Sequence, residues 1–106
     1  MHYETFHNDQ FLDYMFKKTL AGNTVRPAAV VDCKSLDDVF EKTNNIDHAW
    51  TENPEVVRVL TPRPRSLSVG DLILDGAANK MYVVATTGFQ EVTEEEHASI
   101  TFDLAR

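Results

Sequence analysis

The sequence predicts an α+β fold: a single domain over residues 1–106, with an antiparallel sheet built around a hairpin in the C-terminal half and two or three helices. The hairpin is indicated by two apolar segments, 72–74 and 80–86, on either side of the turn-forming loop DGAAN. Helix starts are indicated at Ser35 and Thr93, because each is a capping residue followed by acidic residues. Helices and strands are interspersed, yet the clearest pairing is antiparallel, which favours α+β over a βαβ architecture.

The N-terminal third predicts one extended segment and one helix. Residues 2–7 suit an extended conformation. Residues 9–21 predict an amphipathic helix that Gly22 or Asn23 ends in the left-handed conformation. Its apolar residues recur at spacings of three and four, and we expect this stripe to face the core: Phe11, Leu12, Met15, Phe16 and Leu20.

A strand and a second helix follow. The β-branched segment 28–33 predicts a strand that is buried on both faces. Ser35 then caps a helix whose first turn is acidic, where negative charge is stabilised by the helix dipole. Asn44 and Asn45 are suited to end it, since asparagine adopts the left-handed conformation more readily than other residues with a side chain.

Residues 45–55 have no clear period and indicate a loop, which holds Trp50, the single tryptophan. A tryptophan in a loop more often covers the core than stacks on a ligand, because its large apolar area needs cover. Residues 56–60 predict a short strand. The prolines of 61–65 then predict a stiff, extended connector.

The C-terminal half predicts the hairpin and a terminal helix. Gly70 and Asp71 indicate a turn before the first strand, and Gly88 indicates a kink or bulge in the return strand. Thr93 and Glu96 form the Thr-x-x-Glu pattern of a capping box. Ile100 and Leu104 would share one face of this helix, whereas Thr101 and Phe102 also suit a strand.

Several classes of protein are disfavoured by composition. No apolar run approaches the ~20 residues that span a bilayer, and the N-terminus lacks the basic and apolar parts of a secretory signal. The single Cys33 fits a reducing interior, and we interpret it as a buried thiol at the end of a strand. We therefore expect a cytoplasmic protein.

Catalytic and metal motifs are not recognisable in the sequence. The histidines have none of the compact ligand spacings, although a site assembled in the fold from His48, His97 and Asp47 remains a minor alternative. The isolated glycines do not form a phosphate-binding loop, and Cys33 has no local motif that links it to a histidine. We predict no cofactor, no metal and no enzymatic activity.

Charge is unevenly distributed along the chain. The net charge of −7 discourages a general nucleic-acid binder, which must neutralise phosphates with clustered lysine and arginine. From Asp71 onward, seven acidic residues stand against two basic ones. This asymmetry fits either an ordinary solvated surface or an acidic surface that competes with nucleic acid for a basic partner. The densest basic patch comprises Arg58, Arg63 and Arg65.

The segment RPRSLSVGD, residues 63–71, has three interpretations. It is an extended connector whose Ser66 or Ser68 bonds nearby backbone while Asp71 pins the turn through its side chain. Alternatively, Arg63 and Arg65 contact an anion or a nucleic acid. The third interpretation makes the segment a docking edge for a protein partner. Residue pattern alone favours the connector.

Three segments together resemble a known group of proteins. These are LDDVFEKTN at 36–44, RSLSVGDLI at 65–73 and YVVATTGFQEV at 82–92. In this order they resemble small proteins of phages, plasmids and integrative elements, of which the YodL-like domain is one branch. The group has no established enzymatic activity, so the resemblance implies a biological setting and no reaction.

These observations predict a non-enzymatic protein-binding module of a phage or other mobile element. It would inhibit or modulate a host nucleic-acid-handling or defence protein by fitting its acidic C-terminal half to a basic groove. The predicted contact residues are Asp71, Asp75, Glu91, Glu94, Glu95 and Glu96. The alternative is a nucleic-acid-binding accessory protein that uses Arg58, Arg63, Arg65 and Trp50.

Overall fold

The structure is a computed structural model and describes residues 2–45 and 48–104. These residues form seven strands, three α-helices and one 3-10 turn, Trp50–Glu52. The strands are β1 His2–Asn8, β2 Thr24–Asp32, β3 Val56–Val59, β4 Leu72–Asp75, β5 Lys80–Val84, β6 Phe89–Glu91 and β7 Thr101–Phe102. The helices are α1 Phe11–Lys17, α2 Leu36–Lys42 and α3 Glu94–Ser99.

All seven strands belong to one sheet. Its order is β3-β2-β1-β4-β5-β6, with every neighbouring pair antiparallel, while β7 pairs in parallel with the start of β2. The seven-residue N-terminal strand β1 lies at the centre of the sheet, where it pairs with β2 on one side and with β4 on the other. The predicted α+β class is confirmed.

The helices cover both faces of this sheet. Leu72 and Ile73 are neighbours in β4 and point to opposite faces, so they belong to two different hydrophobic clusters. One cluster includes Val39 of α2, and the other includes Tyr14 of α1 together with the residues that flank α3. The first contains Tyr3, Ala29, Val31, Cys33, Val39, Trp50, Leu67, Ile73 and Val84; the second contains Phe6, Tyr14, Leu20, Val25, Leu72, Met81, Val83, Val92 and Ile100.

The two helix starts that the sequence predicts are confirmed. The Ser35 hydroxyl accepts a hydrogen bond from the Asp38 amide at 3.1 Å. At α3, Thr93 and Glu96 form the full capping box, with the Thr93 amide donating to Glu96 Oε1 at 2.9 Å. Each cap satisfies amides that have no partner inside the helix.

The first helix differs from its prediction. It spans Phe11–Lys17 where 9–21 was predicted, and it ends at Lys18, which adopts the left-handed conformation with φ 57°. The predicted core stripe is wrong at Leu12 and Phe16, which are 51% and 77% exposed. Tyr14, which lay outside the stripe, faces the core at 5% exposure.

Two strand predictions are also corrected. The strand predicted at 28–33 begins at Thr24 and continues through Pro27, beside a register shift in β1. The return strand of the hairpin ends at Val84, and Gly88, with φ 77°, lies in a second turn rather than a bulge. The predicted hairpin is therefore the first part of a three-stranded meander.

The C-terminal helix does not extend to Leu104, and the alternative prediction of a strand at Thr101 and Phe102 is confirmed. It ends at Ser99, and Thr101–Phe102 forms β7 against β2. Ile100 is buried at the end of the helix, but Leu104 is 65% exposed and does not share a helix face with it.

Candidate functional site

The segment RSLSVGD is held by a partly buried ion pair between Arg65 and Asp71. Arg65 Nη1 and Nη2 lie 2.7 and 2.8 Å from the two carboxylate oxygens of Asp71, whose side chain is fully buried. The same oxygens accept the backbone amides of Asn8 and Ser68, both at 2.8 Å. Asp71 therefore pins the turn, as the connector interpretation predicts. The prediction that Asp71 contacts a partner is wrong, because both of its oxygens are occupied inside the protein.

The Asn8 side chain extends this network across the sheet. Its amide group donates to Asn23 Oδ1 at 2.9 Å and to the Gly70 carbonyl at 3.0 Å. On the other side of the pair, the Arg65 guanidinium lies 4.9 Å from the centre of the Phe11 ring. Among the described residues, every buried side-chain nitrogen and oxygen has a hydrogen-bond partner. This arrangement leaves no buried polar group aimed at a ligand, so we assign the network a structural role.

Trp50 is a lid on the core. Its side chain is 1% exposed, and its indole N–H donates to the carbonyl oxygens of Pro64 and Arg65 at 3.1 and 2.9 Å. It cannot stack on a nucleic-acid base from this position. Of the four residues predicted for nucleic-acid contact, Trp50 is buried in the core and Arg65 is paired with Asp71. The other two, Arg58 and Arg63, are exposed.

The predicted acidic contact residues do not form one surface. Asp75 and Glu91 lie with Lys80 beside the α2 face of the sheet, where Lys80 Nζ is 3.7 Å from Glu91 Oε1. Asp75 also accepts the two amides of its turn, from Ala77 and Ala78. On the other face, Glu96 is used in the α3 cap, which leaves Glu94 and Glu95 as exposed acids at the start of that helix.

The residues considered for catalysis or metal binding lie apart. Cys33 is buried, and burial raises the pKa of its thiol to about 12, with Asp38 and Glu55 adding to the effect. His48 Nε2 contacts Asn53 Oδ1 at 2.7 Å, while His97 packs against the Phe102 ring with centroids 5.1 Å apart. Asp47 lies outside the described residues. Within the part of the chain that the structure describes, no three such side chains are placed to share a metal ion.

The outer face of α1 is the feature that sequence reasoning missed. Leu12 and Phe16 lie one helical turn apart and are both exposed. The helix is anchored from its inner side, where the Tyr14 hydroxyl contacts Gln90 Oε1 at 3.2 Å. A helical spacing of apolar residues predicts burial but does not say against what, so this signal did not separate a core stripe from a docking stripe.

Comparisons with protein-family models, curated proteins and solved structures found no match to this chain. No helix among the described residues has the length and hydrophobicity needed to span a membrane.

Proposed function

We propose that this protein is a non-enzymatic protein-binding module that docks its α1 face into an apolar groove of a partner. The exposure of Phe16, at 77%, beside Leu12, at 51%, carries the proposal. Exposed apolar residues that stand singly are ordinary, but an aromatic ring and a leucine at adjacent helical positions form a compact patch. An amphipathic helix that presents residues at this spacing is a recurring way to enter a groove.

The charges beside this face indicate the partner's chemistry. α1 and α3 cover the same face of the sheet. Burial raises the pKa of Tyr14 in α1, and the nearby Glu96 carboxylate of α3 raises it further. The two helices with their caps carry the acidic residues Asp13, Glu94, Glu95 and Glu96 against the basic residues Lys17 and Lys18. A partner groove with an apolar floor and basic groups at the α3 side would complement this surface.

The edge strand β3 is less suited to docking. β3 has only four residues, and its pairing with β2 contains a register shift. Arg58 lies within the strand, and Pro62 follows it closely. Short length, irregular pairing, charge and proline are the features that keep an edge strand from adding another strand.

The biological setting of this proposal rests on the sequence resemblance. A small protein of a phage or other mobile element that works in the host cytoplasm would use this face to inhibit or modulate a host nucleic-acid-handling or defence protein. The basic groove expected in such a partner agrees with the acidic side of the α1–α3 surface.

The test compares two matched pairs of exposed apolar residues. Leu12→Ser with Phe16→Ser removes the α1 patch, whereas Val57→Ser with Val59→Ser changes residues on β3 that are 58% and 40% exposed. We expect nuclease-treated host lysate to yield a protein that the natural chain and the β3 variant capture and the α1 variant does not. With that protein purified, the α1 variant should weaken binding more than about tenfold, since buried aromatic anchors dominate interface energies.

Three outcomes would contradict the proposal. The first is equal capture by the α1 variant, and the second is loss of capture in the β3 variant alone. The third is capture that disappears on nuclease treatment with steep salt dependence, which would favour nucleic-acid binding through Arg58 and Arg63. Charge reversal at Glu94 and Glu95 then measures the acidic contribution, for which we expect a weaker, salt-sensitive loss.

A further inference from the structure

A cleft of about 630 Å³ lies beside the paired strands β1 and β2. One wall is formed by the paired strands β1 and β2, through His7, Arg26 and Pro27. The opposite wall is the segment that follows β3, through Leu60, Pro62 and Arg63. The lining therefore combines apolar side chains with three arginines and the Asp9 carboxylate. A concave site with apolar walls and a few polar groups is the usual form of a small-molecule pocket.

Only one of the arginines in this cleft has its charge available. Arg26 is neutralised by Asp9 and Asp103, at 2.9 and 2.6 Å. Arg65 is neutralised by the buried Asp71. Arg63 has no acidic partner among the described residues. An incoming anion would therefore meet Arg63 without having to displace an existing ion pair.

The backbone that carries Arg63 is already ordered. Its amide donates to Thr61 Oγ1 at 3.1 Å, and its carbonyl accepts the Arg65 amide at 2.8 Å. Pro62 and Pro64 on either side fix φ at both neighbours. Ligand binding would therefore not have to order this segment, and the entropy cost of ordering it would not reduce the affinity.

We infer that this cleft binds a small organic carboxylate, with the carboxylate on the Arg63 guanidinium and the apolar body against Pro27, Leu60 and Pro62. The planar fork of arginine matches a carboxylate with two parallel hydrogen bonds. His7 is 8% exposed, and burial lowers the pKa of its imidazole, so its ring adds a neutral wall at neutral pH. This site is independent of the docking face on α1.

The experiment titrates the ¹⁵N-labelled chain with three probes and follows amide chemical shifts. Benzoate has both the charge and the apolar body, acetate has the charge alone, and benzamide has the ring without the charge. We expect saturable shifts at residues 60–65 and around His7 with benzoate in the millimolar range, and affinities at least about threefold weaker with each of the other two. Benzoate binding no tighter than acetate or benzamide would overturn the inference, as would the absence of saturable shifts in this region.

Two variants locate the charge. Arg63→Gln should weaken benzoate binding about three- to tenfold, which is the range for a partly solvated, charge-assisted contact. Arg58→Gln removes an exposed arginine that does not line the cleft, and it should leave the affinity unchanged. Equal losses in both variants would indicate general attraction to the protein's cations and would contradict a site at Arg63. The dispersion of the same spectra shows whether each variant is folded.

Discussion

The Arg65–Asp71 pair and the Leu12–Phe16 face lie close together and depart from the usual distribution of residues in opposite ways. The pair places charge in the interior, with an Asp71 side chain that is fully buried. The face leaves a phenylalanine 77% exposed. Phe11 links the two, because its ring packs on the Arg65 guanidinium at the start of the same helix. The buried charges are fully explained by partners within the chain, whereas the exposed ring is not, and that difference is the basis of the proposed docking at α1.

The largest effect on stability should come from Asp71→Ala. The change leaves the Arg65 guanidinium and the Asn8 and Ser68 amides without their acceptor. Breaking a buried ion pair typically costs about 3–5 kcal/mol, and we expect the lower end because Arg65 is 36% exposed. Urea denaturation monitored by circular dichroism measures the loss. Asp71→Asn keeps one acceptor oxygen and should lose less, and a loss below about 1 kcal/mol in Asp71→Ala would show that the network is dispensable.

A smaller loss in the free energy of unfolding is expected for Gly70→Ala. Gly70 has φ +94°, and an added Cβ would lie 2.9 Å from the Phe11 carbonyl oxygen, which is backbone and does not easily move. We expect about 2–3 kcal/mol from the strained conformation and the close contact together. Gly22→Ala is the matched control, since Gly22 has φ +74° with no atom within 4 Å of the added Cβ, and strain alone should cost about 1 kcal/mol. Equal losses at both glycines would mean that the approach of α1 to this turn is loose.

His7 should make stability depend on pH. Burial is the main cause that lowers the pKa of His7 below 6.5, and the charge of Arg65 lowers it further. The charge of Asp71 and a hydrogen bond with the Arg65 backbone oppose this shift. Because the folded state then binds fewer protons than the unfolded state, stability is fully present above pH 6.5 and falls as the pH decreases through and below that value. Urea midpoints measured across this range should show the decline, and His7→Gln should reduce it. An unchanged slope in His7→Gln would assign the dependence to other groups.

The elements that the sequence predicted correctly are those that local chemistry specifies. Ser35 and Thr93 cap helices through bonds to residues three positions away, and the turn at Gly70 depends on backbone freedom at that one residue. The central position of β1 was not predictable, because His2–Asn8 is placed by pairing with strands that are distant in sequence. The end of α1 was misplaced because Lys18 adopts the left-handed conformation that Gly22 was expected to supply.

The candidate site was harder to predict than the fold. The sequence predicted Asp71 both as the residue that pins the turn and as a partner contact. Its buried position depends on Asn8, 63 residues away, and on the guanidinium of Arg65. Leu12 and Phe16 were assigned to the core by their spacing, which is the same for a buried face and a docking face. In both cases the residue type was informative, but the tertiary surroundings decided its role.

The most direct test measures stability and binding together for the Leu12→Ser, Phe16→Ser double variant. If the α1 face serves a partner, the free energy of unfolding in urea should stay within about 0.5 kcal/mol of the natural chain, as for other exposed positions, while capture of the partner is lost. A loss of stability above about 2 kcal/mol would place these side chains in the core, and retained capture would place the contact elsewhere. Either result would contradict the account.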